Sequence, residues 1–148
     1  MNILPGIGIG SIKYGITELE LIANLGKPDK VIEEDEENRE LYYAEKNLFF
    51  SFCQEDGFRL GMVTISGSGY PIFKKDIFGL SLKSVKVFLA KNTSEIPEYE
   101  EHINNNTELT ESLNYNSMGI LIWFESGSLT EMQCSYLFEP DNETIIWP

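Results

Sequence analysis

The chain has 148 residues, of which 42% are hydrophobic and 12% aromatic, and this length and composition are typical of one folded domain over residues 1–148. It lacks any apolar run of the ~18 residues that a membrane helix needs, and its first residues do not read as a secretion signal, so a cytoplasmic location without membrane contact is expected. The formal net charge of −13 disfavours nucleic acid as a ligand, because the field of the protein repels phosphates.

The first predicted element is an extended, glycine-rich segment, LPGIGIGSIKYG. A dinucleotide-binding fingerprint needs a buried strand before its glycines and a helix that starts on the last one. Here only five residues precede Gly6, and Ser11 stands where the third glycine is required. The glycines are therefore expected to allow tight bends in the approach to a helix.

That helix is predicted to begin after Thr17. Thr17 is a good N-cap, and Glu20 completes a capping box. Gly26 and Pro28 end the helix, as a C′ glycine and a trailing proline commonly do. Apolar residues follow the cap at helical spacing: Leu19, Ile22, Ala23 and Leu25.

The acidic run EEDEE, residues 33–37, comes next and lacks the alternation and glycine of a calcium-binding loop, so a solvated loop is expected. The segment RELYYAEKNLFFSF then predicts two strands joined by a short turn. In the second of them the apolar residues of one face alternate with the rest: Leu48, Phe50 and Phe52. A turn and the strand RLGMVTIS follow.

The same pattern returns in the second half of the chain. Gly79-Leu80-Ser81 corresponds to Gly15-Ile16-Thr17, and ESLNYNSMGILIWF corresponds to RELYYAEKNLFFSF. We interpret this as two repeats, residues 1–70 and 71–148, the second with a longer polar insertion, KNTSEIPEYEEHINNNTELTES. The predicted fold class is α+β: two tandem helix–strand–strand–strand repeats forming one antiparallel sheet with helices packed on one face. A final TIIW is expected to add an edge strand.

The pattern G-[hydrophobic]-T-x-x-E-[L/V]-x-x-x-L-G-x-P-D, followed by a Tyr-Tyr strand and a hairpin, resembles small outer-membrane assembly lipoproteins of the SmpA/OmlA type. Its tandem duplication resembles β-lactamase inhibitory protein. The resemblance implies a protein that binds other proteins and catalyses nothing. The residues that carry it are Gly15, Thr17, Leu21, Leu25, Gly26, Pro28, Asp29, Tyr42 and Tyr43, with weaker counterparts at Gly79, Ser81, Val85, Leu89 and Tyr115.

The negative charge is concentrated in one half of the chain. Residues 92–148 contain 11 acidic residues and neither Lys nor Arg, whereas residues 1–91 contain 13 acidic and all 11 basic residues. Such a distribution does not stabilise the fold, because like charges repel each other, but it speeds the encounter with a basic protein. Solubility alone is the alternative explanation.

The sequence offers little for catalysis. The only histidine, His102, lies in the polar insertion and is interpreted as an exposed loop residue, and Cys53 and Cys134 are interpreted as free thiols facing the core. No catalytic residue, cofactor or metal site is predicted. Trp123 lies on the opposite strand face from Ile122 and Phe124, so it either contacts a partner or packs against the insertion.

We therefore predict a non-enzymatic protein-binding inhibitor, most concretely a cytosolic immunity protein of a bacterial toxin system, such as contact-dependent inhibition, that neutralises a basic, nuclease-type toxin. The alternative is a scaffold or assembly protein like the SmpA/OmlA lipoproteins. The predicted partner-binding residues are Glu98, Glu100, Glu101, Trp123, Glu125, Glu131 and Tyr136.

Overall fold

The computed structural model describes residues 1–103 and 108–148. Its helices are α1 (Glu18–Leu25) and α2 (Leu82–Leu89). Its strands, in chain order, are β1 (Ile3–Leu4), β2 (Gly8–Ile9), β3 (Ile12–Lys13), β4 (Lys30–Glu33), β5 (Asn38–Tyr43), β6 (Leu48–Cys53), β7 (Arg59–Ile65), β8 (Glu98–Ile103), β9 (Leu109–Tyr115), β10 (Ile120–Glu125), β11 (Ser128–Ser135), β12 (Leu137–Phe138) and β13 (Ile145–Ile146).

One eight-stranded sheet dominates the molecule, and every neighbouring pair in it is antiparallel. The strand order is β4-β5-β6-β7-β11-β10-β9-β8. Two four-stranded meanders therefore join through their last strands, β7 and β11, and their first strands, β4 and β8, form the two outer edges.

The core lies on one face of this sheet. In β6 and β10 alternate residues are almost fully buried, which confirms the shared faces expected from the sequence: Leu48, Phe50 and Phe52 in one strand, and Ile120, Ile122 and Phe124 in the other. Leu21 of α1 and Val85 and Leu89 of α2 belong to the same core, as do apolar residues of the N-terminal segment.

The helix caps predicted from the sequence are confirmed. The Thr17 backbone N–H donates to Glu20 Oε2 at 2.8 Å, and the Glu20 N–H donates to Thr17 Oγ1 at 3.2 Å, which makes a capping box. Ser81 caps α2 through Oγ alone, accepting from the Ser84 N–H at 3.2 Å. Gly26 ends α1.

The opening glycine run folds into a small sheet, β1-β2-β3. Gly8 has φ +153°, and a Cβ atom on it would lie 1.9 Å from the Ile12 carbonyl oxygen. The tight bends expected of this segment therefore require glycine at this position.

The predicted fold class is wrong. The structure is mostly β, with 46% of the described residues in strands and 17% in helices, and the arrangement is not one of two helix–strand–strand–strand repeats. Strands β4 and β8 were not predicted. Both are outer edges and are mostly exposed on both faces, so they lack the apolar–polar alternation by which strands are recognised.

Three smaller expectations are corrected or refined by the structure. Cys53 is half-buried on the face opposite the core, whereas Cys134 is buried. The last apolar residues form β13, which pairs with β12 rather than with the main sheet. Part of the predicted polar insertion is strand β8, and its residues 104–107 lie outside the described residues.

Within residues 1–103 and 108–148, none of the helices has the length and apolar character needed to cross a membrane.

Candidate functional site

The sheet face opposite the core is the candidate site, and we call it the open face. Its residues alternate along each strand with the core residues. The register of the strands places eight of them side by side, one from each strand, in a row that crosses the whole sheet. From one edge to the other the row consists of Lys30, Tyr42, Phe49, Thr64, Gln133, Leu121, Asn114 and Glu98. The open face therefore has a neutral middle and becomes acidic towards β8.

Trp123 lies on the open face in β10. Its cross-strand neighbours are Glu131 on β11 and Ser112 on β9. The imidazole of His102 packs on the indole, with the ring centroids 5.1 Å apart. The indole Nε1 is buried and makes no hydrogen bond within the part of the chain that the structure describes. Trp123 thus packs against the inserted segment and leaves a polar donor unpaired, which is uncommon in native proteins.

Two clefts flank the indole, and we call them the Trp123 clefts. The first, of about 160 Å³, is lined by Glu98 and Glu100 together with neutral residues of β9 and β10. The second, of about 440 Å³, is lined by Glu125 and Glu131 together with threonines. Each cleft thus combines an aromatic wall with two carboxylates, which is the chemistry that attracts an organic cation.

Glu131 shows the electrostatic character of the second cleft. Burial raises the pKa of its carboxyl, and the negative charges of Glu125 and Glu40 raise it further. Glu40 comes from β5, so carboxylates from both meanders act on the same part of the open face. A cation bound beside Glu131 would favour its ionised form.

The structure brings five of the seven predicted partner-binding residues together around the Trp123 clefts: Glu98, Glu100, Trp123, Glu125 and Glu131. Because neighbours in a strand point to opposite faces, Glu101 lies on the other side of β8, where it accepts a hydrogen bond from the Tyr99 hydroxyl at 2.9 Å.

Tyr136 also lies away from the clefts. Its hydroxyl is 3.2 Å from Asp56 Oδ2, and burial followed by the Asp56 charge raises the pKa of the phenol to about 12. Its aromatic ring packs edge-on against Trp147 and Phe138. We therefore assign Tyr136 to holding the C-terminal segment on the sheet rather than to the acidic site.

The sequence interpretation missed His102 and Glu40. His102 is not in a loop: it is half-buried in β8, with Nε2 3.5 Å from Glu100 Oε2 and 3.4 Å from Ser112 Oγ. The alternation of Glu98, Glu100 and His102 was a usable signal. Glu40 could not be found this way, because its approach to Glu131 depends on how the two meanders join.

The described residues do not assemble a catalytic constellation around the cysteines. Cys134 is on the core face, and burial raises the pKa of its thiol to about 12. After Glu33, the last residue of β4, residues 34–37 of the acidic run form a bend. Asp35 accepts backbone hydrogen bonds there from Glu37 and Asn38, and hydrogen bonds from these two residues lower the pKa of Asp35. Within residues 1–103 and 108–148 no cluster of three His, Cys, Asp or Glu side chains is placed to hold a metal.

No protein-family model matches the chain, and no curated protein or solved structure matches it well enough to count as similar. The likeness to the SmpA/OmlA lipoproteins and to β-lactamase inhibitory protein stays a prediction.

Proposed function

We propose that this chain is a non-enzymatic binding protein that inhibits a basic protein by docking it on the acidic part of the open face. The observation that carries the proposal is the pair of Trp123 clefts, each lined by two carboxylates, in a half of the chain that has neither Lys nor Arg. Among the described residues no Lys or Arg forms an ion pair with these four glutamates, so they leave a negative field that a basic surface complements.

The geometry of the clefts supports one particular contact. An arginine of the partner would stack its guanidinium on Trp123 and donate to Glu98 and Glu100 from one side, or to Glu125 and Glu131 from the other. Cation–π contacts of this kind contribute ~0.5–2 kcal/mol, more when desolvated, and paired carboxylate hydrogen bonds strengthen them. Truncation of such a central aromatic anchor typically costs ~2 kcal/mol or more.

The partner class that we propose is a nuclease-type bacterial toxin, which makes the chain an immunity protein. A nuclease carries basic groups that contact phosphates. Carboxylates of the open face would occupy those groups and compete with nucleic acid. Steering by the remaining acidic residues would speed capture of the toxin.

The docking site is tested with a nona-arginine peptide and the Trp147→Phe variant, in which Trp123 is the only tryptophan. We expect the peptide to change Trp123 fluorescence. Raising the salt concentration towards ~0.5 M, where the Debye length falls well below its ~8 Å at 0.15 M, should weaken the binding by an order of magnitude or more. An affinity for the peptide that does not change with the salt concentration would contradict the proposal.

A matched pair of charge reversals distinguishes a direct contact with the partner from long-range electrostatic attraction. Glu100→Lys changes the open face, whereas Glu101→Lys makes the same charge change on the neighbouring residue of the same strand, facing the other way. Both should slow association, but only Glu100→Lys, together with Trp123→Ala, should speed dissociation. Equal dissociation rates for the two reversals would place the partner elsewhere.

The partner class is tested with the product of the reading frame directly upstream of the gene. We expect a basic nuclease whose activity is abolished by an equimolar amount of this chain and restored by the Trp123→Ala and Glu100→Lys substitutions. An upstream product that neither binds nor cleaves nucleic acid would contradict the immunity role.

A further inference from the structure

A larger cavity, of about 680 Å³, lies over the open face beyond the Trp123 clefts. Asn114, Leu121 and Gln133, from the neutral middle of the row that crosses the sheet, line it from below. Phe138 and Asn142, from the segment after β11, line it from the side. Its volume is in the range of small-molecule sites.

The lining of this cavity is neutral. None of the described residues that line it is Asp, Glu, Lys, Arg or His, although the protein carries a net charge of −13. The side-chain amides of Asn114, Gln133 and Asn142 make no hydrogen bond to another described residue. Each amide offers two N–H donors and one carbonyl acceptor. Asn114 and Gln133 are half-buried and Asn142 is exposed, so a ligand would replace the water that hydrates them.

An exposed aromatic ring stands beside these amides. Phe138 is 48% exposed, and its ring packs edge-on against Tyr136, with the centroids 5.4 Å apart. Tyr136 is fixed in turn by Trp147, 5.2 Å away between centroids, and by its hydrogen bond to Asp56. Phe138 is therefore a supported apolar platform that is open on one side.

We propose that this cavity binds a neutral saccharide. A sugar ring carries hydroxyl groups, which donate and accept as the three free amides do, and an apolar C–H face, which packs on a ring such as that of Phe138. A charged ligand would gain nothing from this lining, and a purely apolar ligand would leave the amides unpaired. The cavity adjoins the acidic docking surface, since Asn114 and Leu121 also line the first Trp123 cleft. Phe138, Gln133 and Asn142 line the cavity but neither Trp123 cleft, so substitutions at these residues test it separately.

The probes are neutral trisaccharides of different composition: maltotriose, cellotriose, mannotriose and N,N′,N″-triacetylchitotriose. Each is titrated into the full-length protein while the side-chain NH₂ signals of its amides are followed by NMR. We expect at least one trisaccharide to shift the signals of Asn114 and Gln133 at millimolar or lower concentration. Shifts that are absent for all four, or that are confined to residues outside the cavity, would overturn the proposal.

Two substitutions test the residues. Gln133→Ala should weaken the affinity for the saccharide at least tenfold with an unchanged melting temperature. Phe138→Ala should weaken it at least tenfold and also lower the melting temperature, because it removes the packing on Tyr136. Trp123→Ala should leave the affinity for the saccharide unchanged. Because the ligand is neutral, added salt should not affect its affinity, which separates this result from failure of the basic-partner proposal. A neutral Gly-Ser peptide that shifts the same amides, when no saccharide does, would assign the cavity to a peptide and overturn the proposal.

Discussion

Gly8 shows how one residue constrains the N-terminal segment. With φ +153° and the Ile12 carbonyl oxygen 1.9 Å from the place of a Cβ atom, any side chain would collide with backbone. We expect Gly8→Ala to lower the free energy of unfolding by at least about 3 kcal/mol, the range of changes with a specific steric cause. Urea denaturation measures this.

The control is Gly127→Ala. Gly127 also has a positive φ, +84°, but nothing lies within 4 Å of the place of a Cβ atom. Gly127→Ala should therefore lower the free energy of unfolding only by the cost of a left-handed backbone conformation, about 1–2 kcal/mol. Equal losses for the two variants would show that the contact with Ile12 is unimportant.

Glu131 gives a prediction about pH. Its carboxyl has a raised pKa in the folded protein, so the unfolded chain loses this proton first as the pH rises. The free energy of unfolding therefore falls as the pH rises above the ordinary glutamate pKa of ~4.3. The fall is complete once the pH exceeds the raised pKa of the folded protein. We expect Glu131→Gln to raise the melting temperature at pH 7 and to leave it unchanged at pH 3.

Glu101→Gln is the matched control for Glu131→Gln, because it removes the same charge from an exposed position on the other face. It should change the melting temperature less at pH 7. If both substitutions stabilise equally, relief of the net charge is the cause and the crowding around Glu131 is not.

At the scale of elements, the two helices differ in how their first turns are capped. Thr17 and Glu20 make reciprocal bonds at α1, whereas Ser81 accepts alone at α2. We expect Thr17→Ala to cost about 1 kcal/mol of stability and Glu20→Ala to cost a measurable part of that amount. Ser84→Ala, at the position equivalent to Glu20, removes only the hydroxyl that accepts from Ser81 Oγ at 3.0 Å and no bond to the cap backbone, so it should cost less than Glu20→Ala. Chemical denaturation of the three variants decides; equal effects of Glu20→Ala and Ser84→Ala would contradict the capping box.

Local signals explain which elements could be predicted. The cap of α1 and the alternating faces of β6 and β10 depend on residues within a few positions of one another, so the sequence predicts them. The edge strand β8 has charged residues on both faces, so its pattern resembles that of a loop. The alternation of Glu98, Glu100 and His102 indicates which residues share a face once the segment is treated as a strand. That the segment is a strand was visible only in the structure.

At the scale of the molecule, the two meanders meet along β7 and β11, where Met62–Ile65 pair with residues 132–135. The hydrogen bond from Tyr136 to Asp56 crosses the same boundary. Gly61 leaves room for it, since a Cβ atom there would lie 2.9 Å from Asp56 Oδ2. This placement of Tyr136 depends on contacts 80 residues apart in sequence, and no local pattern indicates it.

We expect Tyr136→Phe and Asp56→Ala to destabilise the protein non-additively. A double-mutant cycle should give a coupling of about 1 kcal/mol in the free energy of unfolding, the usual contribution of a hydrogen bond to an ionised group after solvent screening. Tyr99→Phe with Asp56→Ala should be additive, because Tyr99 bonds to Glu101 and Glu111 instead. Additivity in both cycles would remove the role assigned to the bond between the meanders.

The outer strand β8 has one side without a neighbouring strand, and unpaired backbone of this kind is a template for fibrous self-association. Glu98, Glu100 and Glu101 place three like charges along it, so two copies repel each other when their edges approach. The glutamates thus also oppose aggregation of the protein through this edge. Removal of these charges by Glu98→Gln, Glu100→Gln and Glu101→Gln together should raise light scattering at neutral pH and low salt above that of the wild type. An unchanged scattering would show that repulsion at this edge is unimportant.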